Sequence, residues 1–251
     1  MKQHLPDRLF ILEMANNHMG DLNHGMKLIK TYGKICKKYD FNFAIKLQYR
    51  DLDTFIHPYM KNRMDVKYIK RFTETKLKKN DFDKLINEIR KQSFLTISTP
   101  FDEKSVDIIE KQNLDIIKIA SCSSTDWPLL ERVVDNDKPI IISNAGNTLD
   151  EIDQIVNFLS HRDKEFVIMH CVGEYPTPDK NMHLSQISLL KNRYPNVRVG
   201  FSTHENPSNT KFISMAIAMG ASVFERHVGL ISDKYPINNY SSTPEQIDSW
   251  L

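Results

Sequence analysis

Short apolar runs alternate along the chain with longer segments in which apolar residues recur at helical spacing. Runs rich in Ile, Val and Phe favour buried strands, whereas the spaced pattern favours helices with one apolar face. Helix-like segments lie at 103–112, 127–136, 149–160, 184–194 and 209–219. Eight runs fit the strand pattern, at 10–15, 43–48, 95–101, 116–121, 139–144, 166–172, 197–203 and 222–228.

Eight strand and helix units predict a closed parallel TIM-type (β/α)8 barrel. The alternative is an open doubly wound sheet, but no glycine-rich dinucleotide fingerprint follows the first strand. A single barrel commonly reaches 251 residues, so we expect one domain over 1–251. The final helix would begin after Thr243, in a capping box with Gln246, close to the end of the sequence. This last helix is therefore short, or the sequence is a fragment of a longer protein.

Segment 50–80 interrupts this rhythm with a long basic and aromatic stretch after the second strand. Insertions of this length are usually functional or ordered by a partner. The alternative is a solvated excursion that contains a short helix.

Composition and charge limit which partners the protein is expected to bind and which cellular compartment is expected. With 34 basic and 32 acidic residues the net charge is +2, which gives no electrostatic case for binding nucleic acid or a membrane surface. Three cysteines without paired spacing argue against a disulfide framework or a cysteine zinc site, and favour a reducing cytoplasm. No apolar run approaches the roughly 20 residues that span a bilayer, and Glu13 interrupts the N-terminal one.

Polar residues collect where the predicted strands end, which is where barrels of this type carry their chemistry. In strand order they are Glu13, Asn17 and His18; Lys46 and Gln48; Ser98 and Thr99; Lys118 and Ser121; Ser143 and Asn144; His170, Glu174 and Tyr175; Ser202 and His204; Glu225 and His227.

Two lysines within apolar strands indicate an anion site. A buried ammonium group is costly unless an anion meets it. Lys46 and Lys118, with hydroxyls on neighbouring strands, suit a phosphorylated or carboxylated ligand. Either lysine taken alone would more simply be an edge residue whose ammonium group reaches solvent.

His204 and His227 end adjacent strands, so their rings can converge on one metal ion. The alternative is a pair of hydrogen-bonded core histidines, and we expect that role for His170. Alternation along the last strand places Glu225 on the face of His227, where it can pair with a pocket lysine, and turns Arg226 toward the helices.

With these residues the sequence resembles the sialic acid synthase (NeuB-like) family. Members of that family condense phosphoenolpyruvate with an aldose to form a sialic-acid-like or other ulosonic acid. The matching stretches occur in family order from residue 10 to residue 230. They are "ILEMANNHMGDL", "AIKLQ", "ISTPFDEKSVDIIE", "IIKIASCSSTDWPLL", "KPIIISNAGNTLDEI", "MHCVGEYPTP", "VGFSTH" and "FERHVGL". The resemblance implies a TIM barrel, a carbohydrate-biosynthesis transferase and a homodimer. The small antifreeze-like domain of the family has no counterpart in this sequence.

The resemblance also implies roles for single residues. Glu13 would position the reactants and move protons, and a divalent ion at His204 and His227 would polarise the aldehyde. That ion is usually manganese, with magnesium or cobalt as alternatives. Gln48, Tyr175 and Asn238 match sugar-facing positions. The phosphoenolpyruvate positions are Lys46, Thr99, Lys118, Ser121, Ser143 and Ser202.

Departures from the family pattern concentrate on the sugar side. Ser123 stands where the family has a glutamate, and Asn238 or Asn239 where it has an aspartate. Cys122 and Gly173 replace a glycine and a small polar residue, and the turn after Ser143 is altered. The protein is then a synthase with a different acceptor, an inactive or altered barrel that binds a phosphorylated ligand, or another metal-dependent aldolase or isomerase.

Overall fold

Eight parallel strands close into a barrel in the computed structural model, which describes residues 4–251. Each strand pairs with the next along the chain, and the first pairs with the last. The strands are β1 (Leu9–Glu13), β2 (Asn42–Tyr49), β3 (Leu95–Pro100), β4 (Ile116–Ile119), β5 (Ile140–Ser143), β6 (Phe166–Cys171), β7 (Arg198–Thr203) and β8 (Val223–His227).

Helices connect the strands and surround the barrel. They are α1 (Leu22–Cys36), α2 (Leu52–Phe55), α3 (Lys67–Glu74), α4 (Lys79–Lys91), α5 (Glu103–Lys111), α6 (Trp127–Val134), α7 (Leu149–His161), α8 (Ser185–Arg193), α9 (Lys211–Ala218) and α10 (Pro244–Trp250). Capping boxes at Thr148 and Thr243 begin α7 and α10, because each hydroxyl accepts a backbone N–H that the helix leaves unpaired.

The barrel interior is apolar in its lower part and polar at its mouth. The lower part is a separate cluster of buried residues that includes Leu9, Ile11, Ala44, Ile97, Ile116, Ile141, Val167, Met169 and Val223. Because side chains alternate along a strand, the residue two positions further on faces the same interior. At that height stand Glu13, Lys46, Thr99, Lys118, Ser143 and Glu225, so the strands deliver polar groups to one place.

Gly200 lies on β7, close to the backbone of β8. A Cβ atom there would come within 2.7 Å of the Val223 carbonyl oxygen and 3.1 Å of the Met169 side chain. The interior therefore has no room for a side chain at this position.

A second, larger core lies between the strands and the helices. It includes Trp250 of α10, whose ring meets that of Phe10 edge-on at 5.6 Å. The short last helix therefore covers the seam where β1 meets β8.

The predicted TIM barrel is confirmed, and each strand boundary falls within two residues of its prediction. The pattern did not single out α1 or α4, two of the longer helices. Segment 50–80 contains α2, α3 and the start of α4. Within residues 4–251, no helix combines the length and apolarity needed to cross a bilayer.

Candidate active site at the mouth of the barrel

A buried lysine holds two carboxylates together at the centre of the mouth. Lys46 Nζ forms an ion pair with Glu13 of β1 and another with Glu225 of β8, at 3.0 Å from Glu225 Oε1. The Ser202 hydroxyl also donates to Glu225 Oε1, at 3.1 Å. The expected pairing of Glu225 with a pocket lysine is thus confirmed.

Burial and charge act in opposite directions on these three groups. Burial alone would lower the pKa of Lys46, but attraction to Glu13 and Glu225 outweighs it and raises that pKa. Burial raises the pKa of Glu13, and repulsion from Glu225 adds to the rise. Burial would also raise the pKa of Glu225, yet Lys46 and Lys118 hold it below its usual value. Glu13 is consequently the member of the cluster best suited to exchange a proton.

Lys118 is the second buried lysine, and its partners are neutral. Its Nζ donates to the Ile119 carbonyl at 2.8 Å and to Ser143 Oγ at 2.6 Å. Burial, together with repulsion from Lys46, lowers the pKa of Lys118 to about 8, although Glu225 opposes the shift. An anion beside this ammonium group would restore the charge balance that the fold itself does not supply.

Hydroxyl groups surround the two lysines. Thr99 Oγ1 is buried and has no hydrogen-bond partner among the described residues. Ser98 Oγ is unpaired as well, but alternation along β3 turns it away from the lysines and toward the helices. Ser121 Oγ accepts from the Ala145 N–H at 3.0 Å, which ties the turn after β4 to the turn after β5. An unpaired buried hydroxyl is unusual in a folded protein and is typical of a ligand-binding surface.

Two imidazoles lie at the other side of the mouth. The rings of His204 and His227 are 5.4 Å apart, and Tyr175 contacts His204 with ring centroids 3.9 Å apart. His204 Nδ1 lies 3.0 Å from the Val172 carbonyl, which orients the ring and leaves Nε2 as the free nitrogen. Burial lowers the pKa of His204 to about 4 and that of His227 well below its usual value.

Both rings are therefore neutral, the form in which imidazole binds metal ions. They fit a divalent ion as a pair, because both are neutral, their ring centroids are 5.4 Å apart and a carbonyl orients one of them. Within residues 4–251 no group of three or more His, Cys, Asp or Glu side chains is arranged to hold a metal ion.

The sugar-facing positions are less tightly grouped. Gln48 Oε1 accepts from Arg50 at 2.8 Å, and Tyr175 is 53% exposed above the imidazoles. Asn238 lies in the loop after β8 and bonds to Asn17 at 3.4 Å, with no hydrogen bond to another predicted site residue among those described. Asn238 is linked to the imidazole pair only indirectly, because its Oδ1 accepts from the Tyr240 N–H at 3.2 Å and the Tyr240 ring lies 5.1 Å from that of His227.

The other two expectations concern His170 and Arg226. His170 Nε2 lies 2.8 Å from the Met182 carbonyl and the ring stacks on Phe201, as expected of a structural histidine. Arg226 faces the helices as predicted, and its partner is Glu205, at 3.3 Å.

Pattern analysis missed Arg50, Arg71 and Tyr240. Arg50 continues the inward alternation of Lys46 and Gln48, which is the signal that could have found it. Arg71 and Tyr240 come from the insertion and from the loop after β8, and no local pattern marks either.

The protein is thus a parallel (β/α)8 barrel whose mouth carries lysines, hydroxyls and paired imidazoles. Such a mouth is typical of barrels that bind an anionic ligand there. The NeuB family model matches residues 41–248, and the chain belongs to the NeuB family.

Named relatives and a solved structure agree with this. The chain is 29% identical over 241 residues to N-acetylneuraminate-9-phosphate synthase of Drosophila melanogaster, covering 90% of this chain and 61% of that one. It is 30% identical over 233 residues to N,N'-diacetyllegionaminic acid synthase of Campylobacter jejuni, covering 88% and 67%. A crystal structure from Chromobacterium violaceum, provisionally assigned as spore coat polysaccharide biosynthesis protein E, superposes with a TM-score of 0.96 at 55% identity. That match covers 97% of this chain and 73% of the other. The chain thus spans about three fifths to two thirds of the length of the curated relatives it matches.

Proposed function

We propose that this protein condenses phosphoenolpyruvate with an aldose to form a sialic-acid-like or other ulosonic acid, with release of phosphate. The observation that carries the proposal is the convergence of two buried lysines, several hydroxyls and two neutral imidazoles in one mouth. The names of its relatives support the same reaction class.

Phosphoenolpyruvate would bind at the lysines. Lys118 has only neutral partners, so its charge is available to the ligand, and the adjacent Ser143 hydroxyl can reorient to donate to it. Thr99, Ser121 and Ser202 surround the same space with further donors. Lys46 would hold the carboxylate or phosphate while remaining anchored by Glu13 and Glu225.

His204 and His227 would hold a divalent ion, for which we propose manganese, and such an ion supplies Lewis-acid polarisation of the acceptor aldehyde. Gln48 and Tyr175 would orient the sugar against the bound phosphoenolpyruvate. Glu13, whose pKa burial raises, would exchange a proton with the reacting groups.

The proposed reaction is balanced by one water molecule. Carbon three of phosphoenolpyruvate attacks the aldehyde carbon, forming the new carbon–carbon bond, while the aldehyde oxygen takes up a proton. Water adds to the cationic carbon two, and phosphate leaves with cleavage of its carbon–oxygen bond. The protein contributes orientation of the two substrates and stabilisation of the developing charge.

The test is a phosphate-release assay with phosphoenolpyruvate, manganese and a panel of aldoses that includes N-acetylmannosamine. We expect release that depends on the acceptor, with one phosphate per ulosonic acid formed. His170→Gln should retain this release, because the buried strand histidine bonds to the Met182 carbonyl and lies outside the imidazole pair. A panel that gives no acceptor-dependent release would overturn the proposal and favour a barrel that binds without turnover.

A further inference from the structure

A buried ion pair adjoins the two imidazoles along the chain. Glu205 directly follows His204, and Arg226 directly precedes His227. Arg226 Nη2 lies 3.3 Å from Glu205 Oε1, and both side chains are 1% exposed. Alternation along β8 turns Arg226 toward the helices while His227 faces the mouth. The ion pair therefore lies behind the imidazoles, on the side away from the ligand site.

Arg226 also binds the backbone of the loop that follows β7. The same Nη2 donates to the Asn206 carbonyl at 3.3 Å and to the Asn209 carbonyl at 3.1 Å. The guanidinium carbon lies 5.6 Å from the ring centre of Trp250, so α10 covers this contact. Asn206 is itself exposed, so without the guanidinium its carbonyl is free to turn toward water. Arg226 thus ties the loop after β7 to strand β8.

The two imidazoles lie where the barrel no longer fixes their spacing. The paired register of β7 and β8 ends at Thr203 and Arg226, one residue before each histidine. The His204 ring is oriented by the Val172 carbonyl, whereas the His227 ring forms no hydrogen bond within residues 4–251. A histidine that binds a metal usually donates its other ring nitrogen to a partner that orients it. The place of the His227 ring therefore depends on its backbone.

We propose that Arg226 and Glu205 are positioning residues, which fix the separation of His204 and His227 for a divalent cation. This inference rests on the proposed function, because it concerns the metal site of that function. Metal ligands must be held within about 0.5 Å of their productive positions. Stability alone is a weak reason for a buried ion pair, since apolar residues of similar volume often stabilise a fold as well or better.

The decisive variant replaces both charges at once. Arg226→Met combined with Glu205→Leu should keep or raise the free energy of unfolding, because it leaves no unpaired charge in the interior. Its Kd for manganese should nevertheless rise by about tenfold, the scale on which partners of metal ligands act. Its Kd for phosphoenolpyruvate should not change, since Lys46 and Lys118 lie on other strands. A double variant that is as stable as the unaltered protein and binds manganese equally well would overturn the inference.

A conservative variant and a matched control cover the case in which the double variant does not fold. Arg226→Lys keeps the charge but lacks the planar group that reaches a carboxylate and two carbonyls together, so its manganese Kd should also rise about tenfold. Arg198 at the start of β7 donates to the carbonyls of Leu5 and Pro6, at 3.0 and 2.9 Å, at the opposite end of the barrel. Arg198→Lys should leave the manganese Kd unchanged. Equal shifts in the two lysine variants would point to a general loss of stability and contradict the proposal.

Manganese binding is followed by electron paramagnetic resonance without phosphoenolpyruvate or aldose, so the inference does not depend on turnover. If the unaltered protein binds no manganese, the metal part of the proposed function fails. Calorimetry with nickel, which nitrogen ligands bind more tightly than manganese, then tests the spacing by itself. Nickel binding that is weakened by Arg226→Lys and not by Arg198→Lys would support the inference. An unaltered protein that binds neither ion would overturn it together with the metal site.

Discussion

At the scale of single residues, the two buried lysines differ in how their charges are compensated. Lys46 contacts two carboxylates, whereas Lys118 contacts a carbonyl and a hydroxyl. Both lysines are desolvated, but their pKa values shift in opposite directions. The carboxylates raise the pKa of Lys46, whereas burial lowers that of Lys118 to about 8. Lys118 is the group whose charge changes within a range that experiments can reach.

We expect the affinity for phosphoenolpyruvate to decrease by roughly tenfold between pH 7.5 and pH 9, as Lys118 loses its proton. The sign follows from the depressed pKa: protonated Lys118 attracts the anion below about pH 8 and neutral Lys118 does not above it. Burial raises the pKa of nearby Cys171 to about 11, so that thiol does not titrate in this window. Calorimetric Kd values at three pH values would measure the effect. Lys118→Met should bind weakly at every pH, and a Kd of the intact protein that does not vary with pH would contradict the prediction.

The imidazole pair gives a second residue-scale prediction. His204→Gln and His227→Gln should each weaken manganese binding by roughly tenfold or more, since replacing the residues that merely orient metal ligands already costs that much. Electron paramagnetic resonance of free manganese during a titration would measure the change. His170→Gln is the matched control, because its ring bonds to the Met182 carbonyl. Equal manganese affinity in all three variants would argue against this pair as the metal site.

At the scale of elements, strands were predictable and their exact ends were not. Alternation of Lys46, Gln48 and Arg50 follows from the sequence, and so does the inward position of Glu225. Strand β4 ends at Ile119, not at 121, because Ser121 enters a single turn of 3-10 helix. The end of the strand is set by backbone hydrogen bonds and not by hydrophobicity, so the apolar pattern predicted a strand two residues too long.

Contact between β7 and β8 yields a prediction on Gly200. Gly200→Ala should lower the free energy of unfolding by about 1–3 kcal/mol, since overpacking a close-packed interior forces backbone shifts. Urea denaturation would measure it. Gly173→Ala is the control, because a Cβ there would meet only the Ala145 Cβ, at 3.7 Å. Equal midpoints for the two variants would show that the barrel relaxes around position 200.

At the scale of the whole molecule, the central ion cluster joins the two ends of the chain. Lys46 of β2 reaches Glu13 of β1 and Glu225 of β8, and β1 pairs with β8 to close the barrel. Residues proposed to bind substrate thus also join the first strand of the barrel to the last.

The predicted homodimer and the single-domain organisation stay predictions.

This double role predicts opposite effects of two similar substitutions. Lys46→Met should lower the free energy of unfolding by about 3–5 kcal/mol, because it removes the ion-pair partner of two buried carboxylates. Lys118→Met should leave that energy unchanged or raise it, since it removes a buried charge that has no carboxylate partner. Chemical denaturation at pH 7 compares the two variants directly. If Lys118→Met were the less stable of the two variants, the prediction would be wrong.

The sequence predicted the barrel and the convergence of lysines and hydroxyls at its mouth, because both repeat with the period of the strands. It did not predict the arginine side. The position of the Arg50 guanidinium depends on Phe72 of α3 and on Phe101, which directly follows β3, and only the folded chain brings the three together. The position of Arg71 is also a tertiary feature, since the sequence of α3 does not show where this helix packs on the barrel.

The apolar floor of the barrel beneath a polar mouth has a consequence for how such a protein can diversify. Leu9, Ile11 and their neighbours carry the packing, while Ser123, Arg50 and Arg71 lie beyond the strand ends. Substitutions among those rim residues leave the floor untouched, so the proposed acceptor preference can change with little loss of stability. The insertion after β2 is then the part of the chain where new specificities can be sampled first.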